Sequence, residues 1–172
     1  MTLIQGETRE LCQEAVARSA ELFDSLGFAI HPRKSVFAPT QTIEFLGFVR
    51  ESRSMTVSLT HTQSAKLKQP CIEILQTDMV SIQSLAEFIG HHVAALPGVL
   101  FGTIFIKRLE ILNIKSLANN KGNYATCITL TDEVNVDIQW WIDHITESAY
   151  PVRVSKPSVV IKTDASKTGG GV

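Results

Sequence analysis

TIEFLGFVRESRSMTVSL, residues 42–59, is the stretch that decides how the rest of the chain is read. Thr42, Ile43, Phe45, Phe48 and Val49 supply the β-branched and aromatic residues of a first strand. Met55, Val57 and Leu59 alternate with Thr56 and Ser58 in a second, the period of a half-buried strand. The polar run 50–54 between them predicts the hairpin tip. Gly47 falls inside the first strand, where a glycine marks a bulge or the close approach of another backbone. The pattern fits either a plain structural hairpin or a hairpin whose bend holds something.

Working outward, residues 7–26 predict a helix with Leu11, Cys12, Ala15, Val16, Leu22, Phe23 and Leu26 at helical spacing, stopped by Gly27. Residues 28–30 predict a short strand, and Pro32 turns the chain through a basic loop at 31–34. Beyond the hairpin the periodicity is helical. One helix spans 62–76, with Leu67, Cys71, Ile74 and Leu75 on a face and Pro70 inside. Ser81 caps a second, whose stripe is Ile82, Leu85, Ala86, Ile89, Val93 and Leu96, ended by Pro97-Gly98. A third, 103–117, turns Ile104, Phe105, Leu109 and Leu112 inward. After a polar loop at 118–127, Thr131 caps a fourth with Val134, Ile138, Trp141, Ile142 and Ile145 on one face. Both tryptophans read as packing anchors. Residues 159–161 predict a strand covered on both faces, with Asp164 at its end and the glycines at 169–171 turning into another. A buried strand without a partner implies a chain cut from something longer.

The composition narrows the function classes. The chain has 172 residues, 44% hydrophobic and 19% charged, with a net charge of −1, which argues against a strongly basic nucleic-acid binder but leaves room for a local basic face. Its three cysteines form no CxxC, and a reducing compartment fits them best. The five histidines show no metal-ligand spacing; His91 and His92 are adjacent and point apart on a helix. No apolar run reaches the ~18 residues of a membrane span, and no signal-peptide pattern is present. An intracellular protein, cytoplasmic or nuclear, is expected.

The motif order resembles the reverse transcriptases of DIRS-like and gypsy-like retrotransposon polyproteins. The pieces are GFAIHPRKS at 27–35, EFLGF at 44–48, SIQSLAEFIGHHVA at 81–94 and VIKTDASKTGGGV at 160–172. The resemblance implies an α+β fold: the end of a polymerase palm with its primer-grip hairpin over 1–60, a helical thumb or connection region over 61–150, and a linker with the first strand of an RNase H-like domain over 151–172. It gives Lys34 a place near the pyrophosphate leaving group, where a protonated amine can donate as charge builds. It makes Phe45, Leu46, Gly47 and Phe48 the primer grip. It makes Asp164 a catalytic, metal-binding carboxylate of a two-Mg²⁺ site in the intact parent enzyme.

The departures from the family set the expected function. The paired aspartates of a Tyr-x-Asp-Asp hairpin would stand just before residues 2–6, and the other RNase H carboxylates would follow residue 172. One carboxylate cannot anchor octahedral Mg²⁺, so no cofactor and no catalysis are expected of this chain by itself. What remains is grip on an RNA/DNA primer–template duplex. Lys66, Lys68, Lys107, Arg108, Lys115 and Lys121 are the candidate phosphate contacts, with Glu73, Asp78, Glu87 and Glu110 interspersed. The missing parts of the same polyprotein are the other expected partners, and a membrane is not. The alternatives are a small helical protein-interaction domain, or a non-functional gene-model remnant whose open strand edges invite aggregation.

Overall fold

The computed structural model describes residues 2–77, 79–152, 164–166 and 169–171. Helix α1 (Arg9–Ser25) opens on Thr8, whose hydroxyl accepts from the Leu11 N–H. It closes at Gly27 (φ +77°), where the Gly27 N–H donates to Asp24 O and the Phe28 N–H to Phe23 O. These two bonds need a left-handed residue at that position, and the Phe23 and Phe28 rings meet edge-on at 6.1 Å across them. None of the residues of α1 is buried. The short strand expected at 28–30 does not form: those residues find no ladder partner, and the chain runs through them into a single 3₁₀ turn at Pro32–Lys34.

The hairpin is built differently from its sequence reading. It is a meander of three strands, β1 (Thr42–Phe45), β2 (Phe48–Glu51) and β3 (Thr56–Leu59). Phe45 pairs directly with Phe48, so Leu46 and Gly47 form a two-residue turn rather than a bulge within a strand. Both have positive φ, 54° and 82°, the twist that matches right-handed strands. Gly47 adopts that conformation freely; Leu46 adopts it against the preference of a branched L-residue. The second turn, at residues 52–55, begins later than expected because Arg50 and Glu51 still pair with Val57 and Thr56.

The helices follow. They are α2 (His61–Leu75), α3 (Ile82–Ala95), α4 (Gly102–Asn119) and α5 (Asp132–His144), with a two-stranded ladder of β4 (Val80–Ser81) and β5 (Cys127–Ile128) bracing the start of α3. Pro70 lies inside α2 as expected. Then β6 (Ala149–Pro151) pairs antiparallel with β3, giving a four-stranded sheet of order β1-β2-β3-β6. The edge of β3 is therefore covered, and residues on both sides of position 60 share one sheet. Two further strands, β7 (Asp164–Ser166) and β8 (Gly169–Gly171), pair with each other. The strand expected at 159–161 lies outside the described residues.

One core joins sheet and bundle. Leu59 of β3 belongs to one buried cluster with Leu67, Cys71 and Ile74 of α2, Leu85, Phe88 and Ile89 of α3, Ile106 and Leu109 of α4, and Val134, Ile138 and Trp141 of α5. Within this core two glycines admit close neighbours. A Cβ on Gly98 would stand 3.0 Å from the Phe48 ring, and one on Gly102 2.8 Å from the Trp141 ring. Two expected faces are rotated. On α3 the buried set is Ile82, Leu85, Phe88, Ile89, His92 and Ala95, and Val93 is exposed. His92 falls at helical spacing from Leu85, Phe88 and Ile89, and polar partners satisfy it inside. On α4 Ile106 is buried and Ile104 is 63% exposed. No helix among the described residues is long and apolar enough to cross a membrane.

Candidate nucleic-acid interface

The turn Leu46–Gly47 overhangs the start of α2. Thr60, which caps α2 by accepting from the Gln63 N–H, donates its own N–H to Gly47 O at 3.0 Å. Gln63 lies against the Gly47 backbone, its side chain 3.7 Å from where a Cβ would be. His91, near the end of α3, completes a hollow of about 110 Å³ with Leu46, Phe48 and Gln63. Phe48 turns its ring to the core, whereas Leu46 is 64% exposed. The four residues read as a grip thus divide: Phe48 anchors, Leu46 is presented outward, and Gly47 is half-buried at the turn. Phe45 is half-buried in β1 beside it.

Of the basic residues singled out in the sequence, Lys66 and Lys68 share helix α2 with Gln63. Lys66 sits three residues, one helical step of ~4.5 Å, beyond Gln63 on α2 and is exposed. Lys68 is half-buried on the same helix. Lys34 is exposed on its 3₁₀ turn, before the hairpin in sequence. The others are not gathered with them. Lys107 is bonded to Glu110 at 2.7 Å. Arg108 is committed elsewhere: its Nε and Nη2 donate to the two carboxylate oxygens of Asp137 on α5 at 2.7 and 2.5 Å, and Asp137 is fully buried. A buried carboxylate must be paired, so this guanidinium serves the α4–α5 contact. Lys115 and Lys121 lie toward the far end of α4. In the loop that carries Lys121, the Thr126 and Tyr124 carbonyls accept from the Ile82 and Gln83 N–H groups in the first turn of α3, about 13 Å along that helix from His91.

Gln63 and His91 were missed as site residues. Gln63 carries no motif, and His91 was weighed only as a metal ligand. Only the meeting of turn, α2 and α3 singles them out.

The histidine beside it has a different task. His92 is buried, its Nδ1–H donating to Phe88 O at 2.8 Å, so its Nε2 is an acceptor facing the Cys71 thiol at 3.2 Å. Phe88 stacks on the ring at 4.0 Å and Trp141 meets it edge-on. A Cys–His pair suggests a nucleophile, but burial acts against it. Burial pushes the thiol up to about 12 and the imidazole down to about 4, so neither the thiolate nor the imidazolium forms near neutrality, and both side chains are fully enclosed. The pair is a satisfied polar link between α2 and α3.

Asp164 opens β7 opposite Gly171. Among the described residues no three His, Cys, Asp or Glu side chains converge as a metal-holding group. Comparisons with family models, with curated proteins and with solved structures return no match to this chain.

Proposed function

We propose that this chain holds an RNA/DNA primer–template duplex as part of a retroelement reverse transcriptase, and that the turn at Leu46–Gly47 is its grip. The observation that carries the proposal is the juxtaposition at that turn. A turn with two consecutive positive φ values and an exposed Leu46 stands beside Gln63 and His91, with the exposed Lys66 three residues beyond Gln63 on α2; these side chains are able to bond or neutralise phosphate. Contacts of this kind fix register on a duplex without reading its sequence. The motif likeness at 27–35, 44–48, 81–94 and 160–172 supports the same assignment. Lys34 keeps its proposed place near the leaving group, and Asp164 its proposed place as a metal carboxylate, within the intact polyprotein. Mg²⁺ belongs to that intact enzyme.

The test is fluorescence anisotropy of a labelled RNA/DNA hybrid over a salt series. Weak binding that falls steeply with salt is expected, and Lys66→Ala lowers the slope of log K against log salt by about 1. Absence of binding at low salt, or binding indifferent to salt, sinks the proposal.

A second assignment, a protein-docking module, is favoured by α1, which leaves Leu11, Leu22, Leu26 and the following Phe28 exposed. It predicts no hybrid binding at any salt concentration.

A further inference from the structure

A second concavity, of about 580 Å³, opens where the start of α4 meets the end of α5, lined by Phe101, Trp140, Asp143, His144 and Glu147, with Ser148 at its base. Its volume is that of a ligand cleft, and its chemistry is unlike that of the hairpin turn. Phe105, Trp140 and His144 form a continuous stack, 4.0 Å and 4.6 Å between successive ring centroids with planes nearly parallel. Both faces of the indole are thereby covered. The outer ring of the stack is His144, fixed by its Nδ1–H to Trp140 O at 2.8 Å. On the other side stands Phe101, 59% exposed, at φ +65°. The adjoining Leu100 N–H is tied to the Ser148 hydroxyl at 2.8 Å, which joins the two walls.

The charges in this cleft are of one sign. Asp143 and Glu147 lie four residues apart at the end of α5 and are both exposed. Asp143 accepts one bond, from Gln139 at 2.9 Å. The α5 C-terminus adds about half a negative charge, roughly offset by the α4 N-terminus across the cleft. Two carboxylates remain, set among aromatic rings. That combination selects a flat, weakly hydrated cation: a guanidinium can lie on a ring while its fork meets a carboxylate, which an ammonium does less well.

We propose that this cleft binds an arginine side chain of a peptide segment in a protein partner. Phe101 and His144 supply the aromatic surfaces, and Asp143 with Glu147 the anionic end. The site is independent of the duplex grip, since it shares no residue with the hollow at Leu46.

The experiment is a ¹⁵N–¹H titration of the full chain at pH 8 with N-acetyl-Gly-Arg-Gly-amide, its lysine analogue and its glutamate analogue. The Trp140 indole N–H reports the cleft, and the backbone amide of Gly47, at the remote hairpin turn, is the internal control. The arginine peptide should move the Trp140 signal saturably at millimolar concentrations, the lysine peptide should bind less tightly, and the glutamate peptide should not move it. Asp143→Asn with Glu147→Gln, both at exposed positions, should weaken arginine binding by about tenfold or more. Phe101→Gly should weaken it too, while suiting the positive φ. An unmoved Trp140 signal, equal response to all three peptides, or unchanged affinity in the double variant would overturn the proposal.

Discussion

Arg108 shows how one side chain can be misassigned by charge alone. Beside Lys107 on the polar side of α4 it reads as a phosphate contact, but its partner is Asp137, sequestered within α5. Removing it strands a buried carboxylate. Arg108→Ala should therefore destabilise by about 3 kcal/mol, the low end of the range for a broken buried pair because the guanidinium side is half exposed. Replacing both partners, Arg108→Met with Asp137→Leu, should recover most of that loss; urea midpoints decide. His92 carries a pH signature. Burial lowers its folded pKa to about 4 from 6.5, so between these values the unfolded chain binds the extra proton. This stability is fully present above pH 6.5 and is lost as pH falls toward 4, by up to about 3 kcal/mol. His92→Gln is less stable at neutral pH but should show a flatter loss across that window, read from unfolding midpoints at successive pH values. At the hairpin turn, Leu46→Asn places a residue tolerant of positive φ before Gly47. It should raise stability by about 1 kcal/mol in thermal melts while weakening hybrid binding, because the exposed leucine goes.

At the scale of elements, helices were legible and strands were less so. The four helices beyond the hairpin stand where apolar spacing puts them; Thr60 and Ser81 cap two of them, and Pro97-Gly98 ends the one that Ser81 opens. The face each helix buries was harder to see. His92 is polar by type, and its bonds to Phe88 and Cys71 let it stand on the buried face beside Leu85 and Ile89. The hairpin was seen but miscounted. A lone Gly in an apolar run serves a bulge and a two-residue turn equally, and the pairing of Phe45 with Phe48 separates them. The candidate site was less legible still. The turn was marked by its motif, whereas Gln63 and His91 enter from two other helices. Helix α1 makes its own prediction. With none of its residues buried, it is held by caps and by the bonds at Gly27. Its amide hydrogens should exchange far faster than those of α3 and α4, and Gly27→Ala should cost the helix about 1 kcal/mol, measurable as lost helicity in a peptide of residues 2–30.

Across the whole molecule, sheet and bundle are bound through a few tight places. Gly98 admits Phe48 and Leu59, and Gly102 admits Trp141 and Leu96. Gly102→Ala would press a methyl into the Trp141 ring, and a loss of about 1–3 kcal/mol is expected in urea unfolding. Because the indoles of Trp140 and Trp141 meet at 5.7 Å, the same variant should also shift the Trp140 indole signal. The proposed duplex grip and the proposed arginine cleft share this one framework, yet they draw on different residues and opposite charge. Hybrid binding should therefore survive the Asp143 and Glu147 substitutions.

The late arrival of β6 carries a temporal consequence. The hairpin strands are neighbours in sequence and can zip up early, but the strand that covers β3 comes only after all four helices of the bundle have passed. Long-range closure is slow compared with local pairing. During synthesis the ribosome releases a meander whose outer strand waits, bare, until residues 149–151 emerge. That interval is when a chaperone, or a second nascent chain, competes for the vacancy.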